Sequence, residues 1–491
     1  MNRPPNFLLP LALMVGVSLV STGEATAQSF SAVHTFGAVS GPNATNTDGA
    51  NPYGGLILSG STLYGTATYG GGSGWGTVFA LDANGTSFAT LHHFTGGSDG
   101  ANPYAELFLT NSVLYGTASA GGGFGAGTVF SVDTNGLGFA VLHSFTVPVN
   151  NSFGFYTNSD GADPVAGLIL WGDIIYGAGN IGGTSGRGTL FSVGTDGLGF
   201  NTLHSFSSGT GAAYSSAGLI LVGGSLYGTD YANLGNGTVF AIDSDGTGFT
   251  NYYGFSVGHL NGNGVLTNMD GANPRANLVL AGNTLYGTAE NGGSAGNGTV
   301  FAINTDGTGF TTLHHFEAGA YSSGLYTNRD GIHPSAGLIL SGHSLYGTAS
   351  GGGKWGNGTV FVINTNGTGF EPLYHFTATP PYPAAQTNSD GANPSAGLVL
   401  SGNTLYGTTP YGGVTGNGTV FSLKFAPQLT ISVSGADIVL TWPTNAAGFD
   451  YSGFVLQSAP EVTGPFTNIA GATTPYTNAM AGSQLFFRLS Q

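Results

Sequence analysis

The 491-residue chain contains no cysteine. Disulfides, thiol nucleophiles, thiolate-held zinc and iron–sulfur clusters are therefore excluded together. Charge is nearly as scarce: Asp, Glu, Lys and Arg make up 6% of the chain, where about 25% is usual. Seven basic residues stand against 23 acidic ones, a formal net charge of −16. Such a surface offers no footprint for phosphate backbones or anionic lipid, so nucleic acid is not an expected partner. Lys and Glu, good helix formers, are rare, while Gly, about 1 kcal/mol worse than Ala in a helix interior, is abundant. A helical protein is excluded on that balance, and a disordered one by the 40% apolar and 12% aromatic content.

Glycine is what the chain has instead, 89 residues of it, well above the usual ~7%. It gathers in clusters such as Tyr69-Gly70-Gly71-Gly72 between apolar runs, without the three-residue period of collagen. Many short strands joined by Gly-rich turns remain as the architecture.

Only one long apolar run occurs, Phe7 to Val20, preceded by Arg3 and followed by Ala25-Thr26-Ala27. It is shorter than the ~20 residues of a spanning helix and has the order of a secretory leader, with cleavage expected after Ala27. The mature chain is expected to be exported, secreted or attached to the cell surface, with no transmembrane segment, and monomeric. A second boundary falls near Phe425, dividing the chain into a leader (1–27), a repeat region (28–425) and a C-terminal module (426–491).

The repeat is the strongest signal. Tyr-Gly-Thr or a near relative begins at Tyr64, Tyr115, Tyr176, Tyr227, Tyr286, Tyr346 and Tyr406. Each copy is followed by Gly-Thr-Val-Phe or a variant, with its Phe at 79, 130, 191, 240, 301, 361 and 421. Every unit holds four strand-length stretches, a to d, joined by turn residues, and the Asx-Gly steps between c and d suit tight hairpins. Four antiparallel strands repeated seven times predict an all-β, seven-bladed β-propeller. Unit seven stops at Lys424-Phe425 without a strand d. The spare copy, Phe30 to Phe36, matches Phe310 to Phe316, which predicts a ring closed by the N-terminal strand.

The run Leu345-Tyr346-Gly347-Thr348-Ala349-Ser350-Gly351-Gly352, with Val360 to Asn364 and Phe370 behind it, resembles a kelch blade. More closely, residues 30–425 resemble the GloVer tandem-repeat family of exported bacterial proteins. That resemblance implies an extracytoplasmic setting and brings no catalytic residues with it. Some kelch-type propellers are copper oxidases that use a Tyr–Cys crosslink, a chemistry closed to a chain without cysteine. The C-terminal module resembles a small fibronectin-III-like β-sandwich, with Trp442 in its core.

In a propeller the d–a and b–c loops share one face, and here they are the long ones, so recognition is expected there. The d–a loops carry Asp-Gly-Ala-Asn-Pro or variants in six units. Asp48, Asn51, Asp99, Asn102, Asp160, Asp163, Asp270, Asn273, Asp330, His333, Asp390 and Asn393 form either a polar ring for a cation or sugar hydroxyls, or turn caps. Recurrence in six units favours caps. Exposed aromatics of the b–c loops, Tyr69, Trp75, Phe124, Trp355 and Tyr411, suit stacking on sugars or packing against the next blade. His34, His92, His143, His204 and His314 fill one slot of strand d that accepts Tyr253 and Tyr374 elsewhere, a pattern of structural hydrogen bonding rather than metal ligation. The c–d turns look superficially like calcium loops but lack the distal bidentate Glu. No cofactor is expected, with Ca²⁺ left open.

Function divides between a binding or adhesion protein for extracellular polysaccharide or a surface protein, and a glycan-active hydrolase or lyase. The second needs an asymmetric carboxylate set, for which Asp163, Asp230 and Glu290 are candidates, with Arg275 or Arg329 as a clamp. A surface-layer role is third.

Overall fold

The computed structural model describes residues 27–490 except 153, 208–216, 232–235, 263, 323–324, 381–385, 436, 447–448 and 480–484. All but the last residue of the predicted leader lies outside them. The described chain is all-β, and no helix in it is long and apolar enough to cross a membrane.

Seven four-stranded antiparallel sheets carry the repeats. In sheet 1 the strands are Ile57–Ser59 (a), Thr62–Ala67 (b), Thr77–Asp82 (c) and Phe88–His93 (d), in that spatial order. Sheets 2 to 6 repeat the arrangement over 108–144, 169–205, 220–254, 279–315 and 339–375. Sheet 7 takes its a, b and c strands from Val399–Ser401, Thr404–Thr409 and Thr419–Phe425. Its fourth strand is Ala27–Thr35, paired with Thr419–Phe425 from Ala27 opposite Phe425 to Thr35 opposite Thr419.

The two most regular sequence motifs turn out to be halves of one contact. The Gly of Tyr-Gly-Thr pairs with the Phe of strand c, as Gly228 does with Phe240. A β-carbon on Gly228 would come 2.6 Å from the Phe240 ring and 2.9 Å from Leu219. Only glycine lets the aromatic ring lie flat across strand b at close-packed density. The neighbouring Thr reaches sideways: the hydroxyls of Thr66, Thr117, Thr229, Thr288 and Thr348 each donate to an alanine carbonyl three residues before strand a of the next sheet, and Thr408 donates to Gly54, three before strand a of sheet 1.

A third set of contacts follows the same circuit. The His or Tyr slot of each strand d stacks on a Phe of the next sheet, as His92 on Phe139, His143 on Phe200 and Tyr253 on Phe310, with ring centroids 3.6 to 4.4 Å apart across the series. The N-terminal strand supplies two of the seven stacks: Phe30 lies on Tyr374 of sheet 6 and His34 on Phe88 of sheet 1. Offset aromatic pairs of this kind contribute ~0.5–1.5 kcal/mol each beyond burial.

After Phe425 the pattern changes. Two three-stranded sheets, Thr430–Ser434/Asp437–Thr441/Tyr476–Ala479 and Thr467–Asn468/Val455–Ala459/Phe486–Ser490, enclose a small core of Leu440, Trp442 and Leu456. A short ribbon carries Phe449 and the next turn Tyr451, and both are fully buried against the repeat region. Phe449 stacks on Phe425 at 4.2 Å and lies 5.2 Å from Tyr346.

Candidate functional site

The Asp and Asn residues of the d–a loops are drawn inward. Asp48, Asp99, Asp160 and Asp330 each accept the strand-d histidine Nε2–H, at 2.9 to 3.2 Å. Asp270 and Asp390 accept the Tyr253 and Tyr374 hydroxyls instead. The same carboxylates accept a backbone N–H just beyond strand d, as Asp48 does from Gly37 and Asp99 from Thr95. Asn51, Asn102, Asp163, Asn273, His333 and Asn393 all have φ between 53° and 59°, the left-handed conformation that Asn and Asp tolerate. Each donates its backbone N–H to the preceding sheet, Asn102 to Trp75 and Asn393 to Asn357 among them. The Asn51, Asn102 and Asn393 side-chain amides donate to Pro410, Thr68 and Ser350 carbonyls. These residues therefore tie neighbouring sheets together. Unit four lacks the motif, and His204 Nε2 is accordingly without a hydrogen-bond partner among the described residues.

The exposed aromatics separate into two groups. Trp75, Phe124 and Trp355 stand apart on the loop face, Trp355 beneath Lys354 with Nζ 4.7 Å from its ring. Tyr411 lies at the rim of a central cavity of about 970 Å³ to which every one of the seven sheets contributes, and Tyr69 is near enough to influence the tyrosines there.

That rim is built from positions at which the repeats differ. The residue after the loop proline is Tyr53, Tyr104, Val165, Arg275, Ser335 or Ser395. Tyr53 and Tyr104 stack at 4.7 Å and 16°, and the Tyr53 and Tyr411 hydroxyls bond each other. Burial pushes the Tyr104 phenol up to about 12. Burial, then the bond to Tyr411, raises that of Tyr53 further. Tyr53 and Tyr104 therefore remain neutral hydroxyls at any ordinary pH. Across the rim Arg275 Nε lies 2.6 Å from Glu290 Oε2, with its guanidinium 4.0 Å above the Tyr231 ring. The cavity thus offers aromatic faces, hydroxyls and one neutralised ion pair, a combination suited to sugar rings.

The cavity meets a second one of about 620 Å³, lined by apolar residues in and just before the a strands, such as Leu56, Leu107, Leu168 and Leu400. Glu106 and Asn277 line both. Burial alone raises the Glu106 carboxyl to about 7. Of the acids weighed from the sequence for catalysis, Asp163 accepts from Asn180 Nδ2 at 3.0 Å, with burial raising its carboxyl, and Asp230 is fully enclosed and bonded to Thr238. Among the described residues no three His, Asp or Glu side chains group as a metal site.

The sequence reading missed Tyr53, Tyr104, Glu106 and Asn277. The available signal was departure from the repeat, whereas attention went to the positions that recur.

The family profile of the Gloeobacter/Verrucomicrobia repeat matches residues 25–154, 147–323, 235–386 and 321–438. The chain belongs to this repeat family. The Gloeobacter/Verrucomicrobia repeat, GloVer for short, thus covers all seven sheets and stops within the first strands of the C-terminal segment. Comparison with curated proteins found none that matches. Solved structures that resemble it include an oligogalacturonate lyase from Vibrio parahaemolyticus, 10% identical over 82% of this chain and 98% of that one, TM-score 0.44. A putative 6-phosphogluconolactonase from Bacteroides fragilis is 15% identical over 72% and 88%, TM-score 0.43. TolB from Acinetobacter baumannii is 12% identical over 60% and 58%, TM-score 0.31. Likenesses at this level say nothing of what the GloVer chain binds.

Proposed function

We propose that the chain is an exported GloVer protein whose seven sheets are the blades of a closed, kelch-like propeller, and that it binds extracellular polysaccharide at the rim of the central cavity. The fibronectin-III-like C-terminal module serves in this reading as spacer or attachment. The observation that carries the proposal is the convergence of Tyr53, Tyr104, Tyr411 and the Arg275–Glu290 pair on one cavity, all from positions where an otherwise regular repeat departs from itself. Strict repetition builds the frame, and chemistry resides where repetition fails.

A hydrolase or lyase would need a second reactive group beside Glu106. Glu290 is held by Arg275 and Asp230 by Thr238, so binding without turnover is the better supported activity. A glycan array probed with mature protein should show saccharide ligands, and the double variant Tyr53→Ala, Tyr104→Ala should lose them while remaining folded. An array without signal, or one unaffected by the double variant, overturns the reading.

A further inference from the structure

Ala-Gly-Leu or a close relative leads into strand a in every unit. The middle residue is Gly55, Gly167, Gly218, Gly337 and Gly397 in five of them, and Glu106 and Asn277 in the other two. All but Gly218 line the first cavity, and Glu106, Gly167 and Asn277 line both. A β-carbon on Gly55 would lie 3.0 Å from Glu106 Oε2, one on Gly218 2.6 Å from Asn277 Oδ1, and one on Gly337 3.4 Å from Asn277 Cβ. Glycine leaves the neck open, and two side chains reach into the space.

Asn277 has a structural use. Its Oδ1 accepts the Gly218 N–H at 2.5 Å, which steadies sheet 4, the sheet whose unit lacks the Asp-Gly-Ala-Asn-Pro turn. Glu106 has no comparable partner: among the described residues nothing bonds or pairs with its carboxyl. It is partly buried, set beside Gly55 with its carboxyl facing both cavities, and an acid there without a partner favours a ligand that supplies one. Near neutrality it can both donate and accept. The ligand it can meet is constrained by charge. Among the described residues Arg275 is the sole basic side chain lining either cavity, and Glu290 neutralises it. Carboxylated or sulfated sugars would find no free cation and would face Glu106 and Glu290.

We propose that Glu106 reads an uncharged sugar chain at the junction of the two cavities: the chain enters between the Tyr53–Tyr104 stack and the Arg275–Glu290 pair and presents a hydroxyl to the Glu106 carboxyl. The proposal rests on the saccharide reading above and adds ligand charge, the path of entry and the residue that meets a hydroxyl at the junction.

Calorimetric titration with neutral hexasaccharides of glucose, mannose, galactose and xylose, and with galacturonate and glucuronate hexamers, tests it. At least one neutral hexamer should bind and the uronates should not. Glu106→Gly, which restores the residue of the other repeats, should weaken the neutral ligand about tenfold, the worth of one hydrogen bond to an acid, while its thermal midpoint stays at or above that of wild type. Glu106→Gln, which keeps a donor and an acceptor, should weaken it less. Neutral binding that is indifferent to both substitutions, or uronates that bind as tightly, overturns the inference and leaves the saccharide reading standing. Absence of binding by every member of the panel overturns both.

Discussion

At the residue scale the repeat is a record of atoms that must not be present. Tyr-Gly-Thr needs its glycine because the Phe of strand c occupies the volume a methyl group would take. Gly228→Ala, pressing on Phe240 and Leu219, should cost about 1–3 kcal/mol through overpacking. Gly72→Ala, whose added carbon would meet only His93 at 3.8 Å, should be close to neutral. Denaturant melts of the two variants check the contrast. Glu106 makes a prediction in pH. Its carboxyl is raised from 4.5 to about 7 by burial, so between those values the folded state holds a proton that the unfolded state has released. Its contribution to stability is then greatest below pH ~4.5, falls as pH rises towards ~7 and levels off above it, by an amount on the order of 1–3 kcal/mol. Glu106→Gln should remove that contribution, read as the pH dependence of the difference in thermal midpoint between variant and wild type from pH 4 to 8.

At the element scale, legibility tracked repetition. Strand order, sheet composition and the pairing of the Phe30–Phe36 segment with the last strand could all be read because seven in-phase copies reinforce one another. The strand-d histidines could be read as structural, but not paired with Asp48, Asp99, Asp160 and Asp330, because the partners lie in loops of varying length. Glu106 was illegible for the opposite reason: a single acid within an apolar stretch carries no pattern, and its meaning appears only when the strand-a openings are laid over one another. The docking role of Phe449 and Tyr451 was not legible, since nothing in local sequence says that an aromatic pair faces a different sheet. The irregular unit offers a test of the histidine slot. His204→Phe removes a ring nitrogen that has no hydrogen-bond partner among the described residues and keeps the stack on Phe249, and should raise stability by up to about 1 kcal/mol. His314→Phe takes from buried Asp330 one of its donors, leaving the Glu317 N–H and Asn328 Nδ2, and should lower it by about 1–3 kcal/mol. Equal effects in chemical melts would contradict the assignment.

At the scale of the whole molecule, the C-terminal segment is joined to the repeats by more than a peptide bond. Phe449 is fully buried and stacked on Phe425 beside Tyr346, so Phe449→Ala should cost about 3–5 kcal/mol. It should also split a single calorimetric transition into two as the module loosens from sheets 6 and 7. A single, unshifted transition would show that the contact contributes nothing.

The sheet completed by residues 27–35 has a temporal consequence. The Asn417 amide donates to Gly37, 380 positions away, and Thr408 to Gly54, 354 positions away. No truncated chain that ends before unit seven can form these bonds. Sheets 1 to 6 can assemble from near neighbours as the chain lengthens, but the N-terminal strand must wait, unpaired, for the last repeat to be made. Bringing such distant partners together is entropically slow, and until it happens an apolar strand edge stays open to other chains. Docking of the Ala27–Thr35 strand on Thr419–Phe425 is therefore expected to be the slow step in completing the repeat region.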